Sequence, residues 1–163
     1  MHDCDDLIRI FNACFTKTYQ TRLIKGESEP LYLPMSDTTT YHAVIFAHGF
    51  FSSALHECAH WLIAGASRRQ LMDYGYWYVP DGRDEGSQLA FQEVEVKPQA
   101  LEWILSDAAV YPFQFSIDNL NGVETDTETF KANVRLQVLR YRKQGLWPRA
   151  LQFHRALEAF YQK

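Results

Sequence analysis

Residues 53–65 read Ser-Ala-Leu-His-Glu-Cys-Ala-His-Trp-Leu-Ile-Ala-Gly, and His56-Glu57-Cys58-Ala59-His60 within them spell H-E-x-x-H. On an α-helix, residues four apart share a face, with Cβ atoms roughly 5–6 Å from each other. His56 and His60 can therefore close on one metal ion, while Glu57 projects from the adjoining edge. Leu55, Cys58 or Ala59, Leu62 and Ile63 supply apolar contacts, so the helix has protein on more than one side. The imidazoles then face the interior or a cleft, where an unpaired polar group is costly. Ser52 or Ser53 is the expected N-cap, and Gly65 the expected stop.

Working outward, Ala43-Val44-Ile45-Phe46-Ala47 reads as a buried strand broken by His48-Gly49, and Leu31-Tyr32-Leu33 as a shorter one stopped by Pro34. Asp3 or Asp5 caps a first helix with the stripe Leu7, Ile10, Phe11, Cys14 and Phe15. Downstream, Tyr74-Gly75-Tyr76-Trp77-Tyr78-Val79 suggests an aromatic strand, and Val94-Glu95-Val96 another. Pro98 suits the first position of a helix with stripe Leu101, Ile104, Leu105 and Ala108, ended by Pro112. Thr125 and Glu128 offer a capping box for a helix carrying Phe130, Val134, Val138 and Tyr141 and closing at Gly145. Pro148 opens the last helix, with Ala150, Phe153, Leu157 and Phe160 on one side. The expected fold is α+β: a single domain over 1–163, with about five helices and a small mixed or antiparallel sheet.

Composition narrows the function classes. The chain has 163 residues, 47% of them hydrophobic and 15% aromatic, with a net charge of −4. That argues for a packed core and against a surface dominated by nucleic-acid binding. No apolar run reaches the 18 or so residues a membrane span needs. The start, Met1-His2-Asp3-Cys4-Asp5-Asp6, is acidic and unlike a signal peptide. Three cysteines without a C-x-x-C pair argue against a disulfide scaffold and for a reduced, cytoplasmic setting.

A catalytic metal wants a third protein ligand, with positions left for water or substrate. No histidine follows His60 until His154, so a carboxylate is expected from among Asp73, Asp81, Asp84, Glu85, Glu93, Glu95 and Glu102. Glu95, between Val94 and Val96 in an apolar stretch, is the choice, with Glu93 the fallback on the same strand face. The alternative for Glu95 is an ion pair with Lys97 or an arginine. Two histidines and a carboxylate serve zinc hydrolysis, with Glu57 as base, or oxygen activation at iron(II), and spacing does not choose. His48 reads as a turn residue or a support to the ligands, and Cys58 as core. The turn Asp81-Gly82-Arg83-Asp84-Glu85 is either a solvated loop or the receiver of a cationic substrate group.

Several runs together carry a resemblance more specific than H-E-x-x-H. They are Phe46-Ala47-His48-Gly49-Phe50, Ala54-Leu55-His56-Glu57, Gly75-Tyr76-Trp77-Tyr78, Pro80-Asp81-Gly82-Arg83-Asp84 and Val94-Glu95-Val96-Lys97-Pro98-Gln99-Ala100-Leu101. Arg22-Leu23-Ile24-Lys25-Gly26, Tyr111-Pro112-Phe113 and Asp118-Asn119-Leu120 extend it over nearly the whole chain. The chain resembles the bacterial elongation factor P hydroxylase family. The resemblance implies an iron(II)- and oxygen-dependent enzyme that hydroxylates the lysine of elongation factor P after β-lysylation, with metal ligands His56, His60 and Glu95. It implies a scaffold other than a jelly roll, so 2-oxoglutarate is not assumed. Asp81 and Asp84 would then attract the ammonium-bearing arm, and Tyr76 or Tyr78 would wall it. The competing readings are a zinc metallopeptidase built on the same helix and a non-enzymatic binding module with a structural metal site.

Overall fold

The computed structural model describes residues 1–76, 85–116 and 127–163. Among them the order is α1 (Cys4–Tyr19), β1 (Thr21–Lys25), β2 (Leu31–Leu33), β3 (His42–Phe46), α2 (Phe51–Ile63), α3 (Glu85–Ala108), α4 (Thr127–Gln144) and α5 (Pro148–Tyr161). The expected α+β class is what forms: among the described residues, five helices and a three-stranded mixed sheet, against which α1 and α2 pack. The strands are ordered β1-β3-β2, with β1 parallel and β2 antiparallel to β3.

The helix α1 begins where Asp3 accepts a hydrogen bond from the Asp5 amide (2.9 Å) and ends at Gln20 in the left-handed region. That reversal sends the chain directly into β1, a strand with no turn-forming residues before it. Leu7, Phe11 and Phe15 are fully buried, as are Leu55, Cys58, Trp61 and Leu62 of α2 and Phe153 of α5. Phe11 meets Trp61 edge-on at 5.3 Å and Phe153 at 5.7 Å, while Phe15 lies 4.8 Å from Trp61. Such aromatic pairs each contribute about 0.5–1.5 kcal/mol beyond the area they bury. The back of α2 is thus fixed in a rigid aromatic layer.

Several expectations are corrected. Val94-Glu95-Val96 is helical: α3 runs from Glu85 to Ala108, with Pro98 inside it rather than at its start. Packing of this helix against α2, α4 and α5 overrides the β-branched valines and the lost proline amide. Tyr74-Gly75 belongs to a short 3-10 turn in which Asp73, Tyr74 and Gly75 all take positive φ, so no aromatic strand starts there; residues 77–80 lie outside the described residues. The N-cap of α2 is Phe50, without a side-chain bond, because the chain enters through left-handed His48 and Gly49 (φ 59° and 70°). The C-cap is Ala64, one residue before Gly65. Phe160 is 40% exposed, unlike Ala150, Phe153 and Leu157 beside it. Thr125 of the expected capping box lies outside the described residues.

Candidate metal centre

The helices α2 and α3 pack side by side, each bringing a polar stripe to the seam. On α2 the stripe is His56 and His60, one turn apart. On α3 it is Glu95, Gln99, Glu102 and Ser106, all at most 4% exposed and spaced at intervals of four, three and four that keep one helical face. Stretches on either side fix the seam in place. His2 bonds through Nε2 to the Ala109 carbonyl (2.6 Å) and packs between Tyr161, Tyr111 and Phe51. At the far end of α2, Arg149 donates to the carbonyls of Trp61 (2.9 Å), Leu62 (3.1 Å) and Ala64 (2.8 Å). Trp147 also donates to the Leu62 carbonyl, and Arg69 to that of Ala64 (each 2.7 Å). Cations and donors there satisfy carbonyls that the helix itself leaves unpaired, and they oppose its dipole.

Three donors converge at the seam. His56 Nε2 and His60 Nε2 are 3.2 Å apart, Glu95 Oε2 is 3.1 Å from His56 Nε2, and Glu95 Oε1 is 3.2 Å from His60 Nε2. Donors bonded to a common ion at about 2.1 Å stand about 3.0 Å apart in neighbouring octahedral positions and about 3.4 Å apart in a tetrahedron. The set fits a metal bound on one face, with its remaining positions open. Two further observations favour a cation. Glu95 Oε2 is buried and, despite its 3.1 Å approach to His56, lacks a hydrogen bond of acceptable geometry. The His56 imidazole also takes up a proton far more readily than usual: burial opposes this, but the Glu95 charge and the hydrogen bond to Glu102 overcome it. In the same way burial would raise the Glu95 carboxyl, yet the charges of His60 and His56 hold it well below the ordinary range. The seam attracts positive charge, of the kind a metal ion would supply.

Glu102 completes the arrangement. Its Oε1 lies 2.7 Å from His56 Nδ1, which assigns a proton to Nδ1 and leaves Nε2 facing the point shared with His60 and Glu95. Glu102 was one of several possible third ligands by sequence; its seven-residue spacing from Glu95 was the signal that both face α2. Gln99 holds the Ser116 backbone through its amide, donating to the carbonyl and accepting from the amide nitrogen (3.1 Å for the latter). Tyr74, raised on its left-handed turn, stacks on Tyr32 (4.3 Å) and lies parallel to the His60 ring at 6.3 Å.

The other sequence candidates scatter. Glu57 stays out of the triad and borders a cavity of about 730 Å³ on the His56 side, shared with His48, Glu102, Tyr111, Phe113 and Phe115. Burial raises the Glu57 carboxyl above its ordinary range, against the pull of His60 and His56. Glu93 lines a smaller cavity of about 410 Å³ on the His60 side; the helical turn separates it from Glu95, with which a strand would have aligned it. Tyr76 borders that second cavity with the Arg68 guanidinium 4.2 Å over its ring. Asp73 accepts from the Tyr32 amide (2.8 Å), which accounts for it structurally. Tyr78, Asp81 and Asp84 lie outside the described residues. No described helix is long and apolar enough to cross a membrane.

Comparison with known proteins identifies the family. The family model described as elongation factor P hydroxylase matches residues 10–163. The elongation factor P lysine hydroxylase of Haemophilus influenzae is 56% identical over 160 residues, covering 98% of this chain and 90% of the relative. With H-E-x-x-H and the α3 carboxylates joined in one seam, and a match over nearly its whole length, the chain belongs to the elongation factor P hydroxylase family.

Proposed function

We propose that this protein hydroxylates the β-lysylated lysine side chain of elongation factor P, in the cytoplasm, in a reaction that depends on iron(II) and molecular oxygen. The observation that carries the reading is the convergence of His56, His60 and Glu95, in a chain whose relative is named for hydroxylating a lysine of that factor. Iron(II) with oxygen supplies the oxidising power that hydroxylating an unactivated C–H bond requires, which redox-inert zinc does not. His56, His60 and Glu95 would hold the ion. Glu102 keeps the His56 proton on Nδ1, so that Nε2 stays available as a ligand. The aromatic layer behind α2 anchors the helix whose spacing sets both imidazoles one turn apart. Three protein ligands on one face leave room for reaction on the other, and no 2-oxoglutarate enters the reading. Free Cys4, Cys14 and Cys58 support the cytoplasmic assignment.

Substrate contacts by Tyr76, Tyr78, Asp81 and Asp84 belong to the same reading. What supports the first is its place beside the triad on the wall of the smaller cavity, where it would meet the body of the substrate protein rather than the ammonium arm. Intact mass spectrometry of β-lysylated elongation factor P, incubated with the protein, iron(II), a reductant and oxygen, tests the proposal. The expected result is a gain of one oxygen atom, absent with His60→Ala. Peptide cleavage with zinc in the absence of oxygen, and no gain of oxygen with iron, would instead establish the metallopeptidase.

A further inference from the structure

We infer that the larger cavity seats the substrate's aliphatic ammonium arm, and that Glu57 is the carboxylate that receives the ammonium rather than a base acting at the metal. The inference rests on the reading that a lysine side chain is the substrate.

The two cavities flanking the triad differ in charge. The described lining of the smaller one includes Arg68 and Lys97 against the single carboxylate of Glu93. That of the larger one includes Glu57 and Glu102 and no lysine or arginine. Lys131 and Arg135 lie over the Phe115 ring at 5.6 and 5.4 Å and are not part of that lining. A cationic arm is therefore favoured on the His56 side. The size agrees, because about 730 Å³ is typical of a site that encloses a small-molecule-sized group.

The walls suit an alkyl chain. Phe113 stacks on Trp103 of α3 (4.8 Å, 10° between planes), and Phe115 meets both rings edge-on. Gln99 fastens the backbone at Ser116, so this aromatic wall is attached to the same helix that carries Glu95 and Glu102. Methylenes lie along such rings at little cost, and an ammonium beside them gains cation–π attraction.

The acceptors are also in place. An ammonium has three N–H donors to satisfy. Glu102 is already bonded to His56, but the Glu57 carboxylate makes no hydrogen bond or ion pair with any described residue. One turn earlier on α2, Ser52 and Ser53 line the same cavity. Neither caps the helix, and their hydroxyls likewise have no partner among the described residues. Three acceptors thus stand ready along one edge of α2, beside the ligand His56. A base at the metal would have no need of the two serines or of the aromatic wall.

Two measurements on the metal-loaded protein test the inference. The first is titration with hexylammonium chloride, with hexanol as the uncharged control, read by calorimetry. Hexylammonium is expected to bind saturably and hexanol far more weakly. Glu57→Gln, with metal content equal to wild type, should weaken hexylammonium binding at least about tenfold, as expected for losing a charge-assisted bond. The second is hydroxylation of the protein substrate, where Glu57→Gln should raise KM and leave kcat within about threefold. The inference fails if the wild type does not bind hexylammonium, if Glu57→Gln binds it as well as wild type, or if kcat falls while KM stays. Should Glu57→Gln not fold, the Ser52→Ala/Ser53→Ala double variant decides: at least about threefold weaker binding supports the site, and an unchanged constant overturns it. Hexylammonium binding that depends on Glu57 in a protein that hydroxylates nothing would keep the site and remove the hydroxylase reading. Hydroxylation with binding indifferent to Glu57 would do the reverse.

Discussion

The two sides of α2 are built from opposite materials. Behind it, Trp61 meets Phe11, Phe15 and, at 5.6 Å, Tyr19 in an aromatic layer. In front, His56 and His60 face a stripe of buried polar groups on α3, each committed to a particular atom. Apolar packing is tolerant of detail and supplies stability in bulk, whereas the polar seam contributes little net stability and demands specific partners. One helix therefore carries both the rigidity and the chemistry, divided by face. The division teaches that damage to the front should silence the protein while leaving it folded, and damage to the back should unfold it.

The strongest break comes at the front. His60→Ala or Glu95→Ala should remove the metal and lower hydroxylation by about a thousandfold or more, while far-UV circular dichroism stays that of the wild type. If either variant unfolds, the front is structural after all. Trp61→Ala attacks the back, and urea denaturation should show a loss of about 3–5 kcal/mol, with metal still bound below the transition. Chelation sharpens the contrast: restoring metal at a hundred times its dissociation constant should add about 2.7 kcal/mol to the metal-free protein, visible as a rise in Tm. The smallest effect is expected at Glu102→Gln, where an amide replaces the carboxylate that orients His56. Metal affinity should fall by about 10–100-fold in a chelator competition, with stability barely moved.

Much of this was legible in the sequence. The helix of His56 and His60 declared itself by spacing, and β2, β3 and the stripes of α1, α4 and α5 by periodicity. Glu95 was chosen by an argument tied to the wrong element: a carboxylate among valines needs a cation, but the valines are helical. The period was present in Glu95, Gln99, Glu102 and Ser106, yet Pro98 and two β-branched residues masked it. Their cost is recovered by packing against three helices, which no local pattern reports. The strand β1 went unread because its entry is a left-handed Gln20, not a glycine or proline. The serines before His56 were assigned to capping, whereas the left-handed turn at His48 and Gly49 frees them to line the cavity.

The seven-residue interval between Glu95 and Glu102 has a meaning for how this protein can change. Seven residues bring a helix almost full circle, whereas six or eight displace the second carboxylate by about 80–120°. Between these two positions, then, substitutions are negotiable but length is not: a one-residue insertion or deletion would leave one acid at the ion and swing the other away from His56. Gains and losses of residues among family members should avoid this stretch and gather outside it. The site is specified by a distance counted along the chain as much as by the identities of the residues at its ends.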